Sequence, residues 1–85
     1  MITKRNRYLV TYLNMNMCSL LSEEFFRADQ MKAHVRKTVR ENPDVVYARI
    51  ERRSYLGSSA KQYTKYVKAQ VINNKRCVDW GDFDV

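Results

Sequence analysis

The sequence predicts an α+β fold, a small antiparallel sheet in the order ββαββ with an optional fifth strand and one helix packed on one face. Three observations carry this. Residues 8–13 and 45–55 are rich in β-branched and aromatic residues, and the second run alternates apolar and polar positions with period two. Met31, Val35 and Val39 instead repeat every fourth position, the period of a helix. Turn-forming residues punctuate the chain between these runs, at 14–17, at Asn42-Pro43, at 56–60 and at Asn73-Asn74.

Residues 8–13 read as the first strand, and Asn14 to Met17 as the turn that follows. Residues 20–27 make the second strand; a helix opening at Ser22, with Glu23 and Glu24 in its first turn, is the competing reading. The strand is preferred because Asp29 is the stronger N-cap, standing just before the helical repeat. That helix must stop by Asn42, since the residue before Pro43 avoids the α region. Residues 45–55 are the next strand. Gly57 supplies the positive φ for a hairpin across 56–60, and residues 62–72 return antiparallel. Asn73 and Asn74 tolerate left-handed backbone, and residues 77–80 offer the fifth strand.

Side-chain parity then separates two faces. Val46, Ala48, Ile50, Val67, Ala69 and Val71 are expected to meet Met31, Val35 and Val39 in the core, joined by Leu9 and Leu13. The opposite parity presents Tyr47, Arg49, Glu51, Arg53 and Tyr55, then Thr64, Tyr66, Lys68 and Gln70, with Tyr8 and Tyr12 beside them. One helix leaves that face uncovered, and tyrosines suit it because the ring packs while the hydroxyl stays wet. Aromatic rings beside cations form a platform on which bases stack and phosphates are neutralised. Tyr47, Arg49, Arg53, Tyr55, Tyr66 and Lys68 are thus the first candidates for nucleic-acid contact; cross-strand Tyr–Arg pairs that only stabilise a solvated face are the plainer reading. Lys32, Arg36 and Arg40 recur every fourth residue and form a second cationic stripe, on the helix.

The 85 residues fit one domain, assigned to 1–78, followed by an acidic and aromatic tail at 79–85. All sixteen Lys and Arg precede residue 77; against the six acids up to residue 78 they give that part a net charge of +10. Such a field attracts nucleic acid or an acidic protein surface. Trp80 and Phe83, set among Asp79, Asp82 and Asp84, could anchor a protein partner or lay the tail over the basic surface; the plainer reading, and the preferred one, is a frayed terminus with Trp80 tucked into the edge of the core.

Other classes find little support. Two separated cysteines, Cys18 and Cys77, with the single His34 give neither a zinc spacing nor a disulfide framework. No phosphate loop, nucleophile elbow or paired carboxylates appear, so neither catalysis nor a cofactor is expected. No uninterrupted apolar run approaches the ~18 residues of a membrane span, and the residues after Lys4, Arg5 and Arg7 lack a cleavage site, so a cytoplasmic protein is expected. The leading expectation is a small non-enzymatic nucleic-acid-binding module. The alternative is an accessory protein of the kind phages and mobile elements encode, inhibiting or adapting a host protein by direct binding; a homodimer through the open face is a third reading.

Overall fold

A computed structural model describes residues 4–56 and 59–80. The elements are β1 (Lys4–Leu13), β2 (Ser19–Phe25), α1 (Ala28–Glu41), β3 (Tyr47–Leu56), β4 (Ser59–Ile72) and β5 (Lys75–Asp79). They form one five-stranded sheet in the order β2-β1-β3-β4-β5, every adjacent pair antiparallel. The expected α+β class stands. The optional fifth strand is present, so the order is ββαβββ rather than ββαββ. Because β1 lies between β2 and β3, α1 carries the chain across the sheet from one side of β1 to the other.

Local chemistry sets the turns. Asn14 Oδ1 accepts from the backbone N–H of both Asn16 and Cys18, each at 2.9 Å, and Met17 takes φ 63° to close the β1–β2 turn. Asn73 and Asn74 have φ 52° and 66°, the paired positive values a two-residue hairpin needs. Gly57 and Ser58 lie outside the described residues. The helix begins two residues earlier than Asp29 implied: Arg27 is the N-cap, and its carbonyl accepts the N–H of Met31 at 3.1 Å. Asp29 sits inside the first turn, held by Arg27 at 3.0 Å, where its charge favours the helix dipole without capping it. At the other end Asn42 bonds back to Thr38 and then turns to φ −116°, ψ 101°, the extended backbone that Pro43 imposes.

Met31, Val35 and Val39 are fully buried on Tyr8, Val10, Tyr12, Ala48, Ile50 and Val67. For Tyr8, Tyr12 and Leu9 the parity expected for β1 is therefore reversed: both tyrosines are buried in the core and Leu9, half-buried, lies on the other face, while Leu13, at the irregular end of β1, is buried as expected. β1 is an inner strand with apolar residues on both parities, so its own pattern does not choose. Register against β3 does, setting Tyr12 opposite small Ala48 and Val10 opposite Ile50. The Tyr12 ring reaches the helix, its hydroxyl 2.7 Å from His34 Nδ1 and its centroid 5.7 Å from that of the imidazole. Burial pushes that phenol up to about 12. Val45, not Val46, enters the core just ahead of β3. Val71 is 62% exposed because the β4–β5 hairpin runs past the helix.

Length arithmetic explains that overrun. The fourteen residues of α1 span ~21 Å, whereas the fourteen of β4 span ~46 Å. The molecule is accordingly elongated, 48 × 24 × 19 Å. Beyond Ile50, the β3–β4 hairpin and the start of β1 project as an arm with no helix over it.

Candidate nucleic-acid interface

The face of the sheet away from α1 is built by cross-strand rows. Tyr47 stands opposite Lys68, Arg49 opposite Tyr66, Glu51 opposite Thr64, Arg53 opposite Gln62 and Tyr55 opposite Ala60. Ring and cation thus alternate both along each strand and across the pair, a small checkerboard at Tyr47, Arg49, Tyr66 and Lys68. Tyr66 is 50% exposed and Lys68 exposed, while Tyr47 and Arg49 are half-buried among their neighbours. Tyr47 and Tyr66 are diagonal neighbours, whose Cα atoms in such a ladder are ~7–8 Å apart.

Several cations on this face are oriented by partners. Arg49 Nε lies 3.0 Å from Glu51 Oε1, an ion pair without hydrogen-bond alignment. One terminal nitrogen of Arg53 donates to Gln62 Oε1 at 2.7 Å. Arg7, directly opposite Arg53, donates through Nε to Glu24 at 2.8 Å and through a second guanidinium nitrogen to the same oxygen. Hydrogen bonding to Glu24 and Tyr55 raises the Arg7 pKa. The Tyr55 hydroxyl is lowered from its ordinary value, first by its hydrogen bond with Arg53 and also by Arg7. The end of this face near Arg7, Arg53 and Tyr55 therefore favours negative charge.

The expected residues do not all come together. Tyr47, Arg49, Arg53, Tyr55, Tyr66 and Lys68 share the open face. Arg36 and Arg40 are exposed on α1, on the other side of the sheet, and Lys32 is half-buried there with Nζ 5.5 Å from the centroid of Trp80. Trp80 packs against the core beyond the end of β5. Residues 81–85, Phe83 among them, lie outside the described residues. Cys18 and Cys77 are free thiols.

Two sets of residues escaped the sequence reading. On the helix side of the arm, Arg52 stacks on Tyr63 with its guanidinium carbon 4.7 Å from the ring centroid. Comparing helix and strand lengths would have exposed this patch. Arg76 donates to the carbonyls of Val39, at 2.8 Å, and Val45, clamping β5 to the end of α1. No pattern in the sequence marks that contact. Among the described residues, no group of three or more His, Cys, Asp or Glu is placed to hold a metal ion, and no helix is long and apolar enough to cross a membrane.

Comparison with protein-family models, curated proteins and solved structures gives no match.

Proposed function

We propose that this protein is a non-enzymatic binding module whose open sheet face takes single-stranded nucleic acid. The alternation of Tyr47, Arg49, Tyr66 and Lys68 in two directions carries the reading. Each ring offers a stacking surface to one base, and each neighbouring cation lies where the connecting phosphate passes. Arg53 and Tyr55 extend the track toward the tip of the arm. A single strand fits better than a duplex, because stacking needs unpaired bases and the tyrosines stand on a broad sheet rather than a groove-sized element.

The test is a salt titration of binding to short single-stranded DNA and RNA. Affinity should fall with a log–log slope of about −0.7 per neutralised phosphate. Tyr47→Ala and Tyr66→Ala should each weaken binding by ~1–3 kcal/mol without altering the fold, and Arg36→Ala much less. Absence of binding at low salt sinks the proposal. A larger loss from Arg36→Ala than from either tyrosine moves the site to the helix.

A further inference from the structure

Large exposed apolar side chains concentrate at one place that the nucleic-acid reading does not use. Met15, Met17, Leu20, Leu21 and Phe26 all lie on β2 or on the turns at its two ends, Met15 being 76% and Phe26 68% exposed. β2 is the last strand on its side of the sheet, and no described strand pairs with its outer edge. Natural edges are usually guarded by lysine, proline or a covering element. Here no Lys, Arg or Pro occurs between Tyr8 and Phe26, a stretch whose only charges are Glu23 and Glu24.

We infer that β2 is a dimerisation edge, pairing antiparallel with β2 of a second copy of this chain. Charge selects that occupant. A chain of net charge +7 repels its own copy wherever cations approach cations, and β2 itself carries none; the guanidinium nearest it, that of Arg7 on β1, is already paired with Glu24. The acids then choose the register. Centring the two-fold axis on Glu23 or Glu24 would set each against its own copy, which is destabilising. Centring it on Leu21 sets Leu21 opposite Leu21, Leu20 opposite Ser22, and Glu23 opposite Ser19. That arrangement covers the leucines and leaves no like charges face to face. The result is a continuous ten-stranded sheet with its two-fold axis normal to the sheet. Both open faces then lie on the same side, doubling any site built on them.

Sedimentation of the full chain without nucleic acid tests this independently of what the open face binds. The dimer fraction should rise with protein concentration, and Leu21→Lys, which brings two cations together on the axis, should leave a monomer with the circular dichroism of the wild type and the melting temperature the wild type has when diluted to monomer. Register is read by cysteine pairing in a Cys18→Ser, Cys77→Ser background. Leu21→Cys should oxidise to a disulfide-linked dimer, since facing Cα atoms ~4.5–5.5 Å apart suit a disulfide. Ser19→Cys, facing Glu23, should stay largely unlinked. A monomer at every concentration overturns the proposal. So does a dimer that survives Leu21→Lys, or equal cross-linking by the two cysteine variants.

Discussion

Replacing Arg76 with alanine should destabilise the fold more than any other change to a cation. Val39 lies in the last turn of α1, where carbonyls have no partner within the helix, and Arg76 satisfies it at 2.8 Å while also reaching Val45. One side chain therefore ties β5, the end of the helix and the entry to β3. A hydrogen bond from a charged donor contributes roughly 1.5–3 kcal/mol, and the half-buried setting argues for the lower end. Losing both should cost about 2–4 kcal/mol. That is a large share of the ~4–13 kcal/mol expected of a domain this size. Arg76→Lys should recover less than half, because a single ammonium lacks the planar fork that serves two carbonyls at once. Urea denaturation is the assay, with Lys75→Ala as an exposed neighbour expected to change stability by no more than ~0.5 kcal/mol. A loss below about 1 kcal/mol for Arg76→Ala, or wild-type stability for Arg76→Lys, would refute the clamp.

Tyr12, raised to about 12 by burial, should make the fold sensitive to alkali. Below pH ~10 the phenol is protonated folded and unfolded alike; between about 10 and 12 the unfolded chain ionises first, so stability falls, and Tyr12→Phe should flatten that fall in urea titrations at rising pH. Asn74, at φ 66°, should accept glycine without loss, whereas Asn74→Val should cost ~1–2 kcal/mol by thermal melting. Tyr63 and Tyr66 are almost equally exposed on opposite faces of the same strand, but Arg52 already stacks on Tyr63. Single-strand binding should therefore suffer more from Tyr66→Ala than from Tyr63→Ala, and equal losses would spread the site over both faces of the arm.

Much of the fold was legible because the informative residues obey local rules. The spacing of Met31, Val35 and Val39 fixed the buried side of α1, and Asn73-Asn74 and Pro43 marked turns through their own backbone preferences. The open face was legible on β3 and β4 for a similar reason: each has one aliphatic and one polar parity over most of its length, so burying one displays the other. β1 was not, because Leu9 and Leu13 compete with Val10, Tyr8 and Tyr12 on equal terms. What decides is Ala48 on the neighbouring strand, a contact between residues 36 apart in sequence. The helix start was misplaced because Asp29 satisfies a general preference, whereas the actual N-cap, Arg27, makes no side-chain cap at all. The Arg76 clamp is likewise a meeting of β5 with α1 that no local pattern encodes.

The overrun of the sheet beyond the helix connects these observations to function. If α1 matched β4 in length, the helix side would be a closed aliphatic core and only one face could meet a ligand. Because it covers about half that length, Arg52, Tyr63 and Lys65 occupy positions that would otherwise carry aliphatic residues. A surface shaped only for solubility intersperses both signs of charge and scatters its apolar residues. Here every element except β2 carries at least two cations, whereas β2 carries only Glu23 and Glu24, and five of the large exposed apolar side chains lie on it or on its flanking turns. That segregation stabilises neither the core nor the isolated chain. It is intelligible if the two regions meet different things: an anion on the broad basic face, and another copy of the protein at the edge that carries no cation of its own.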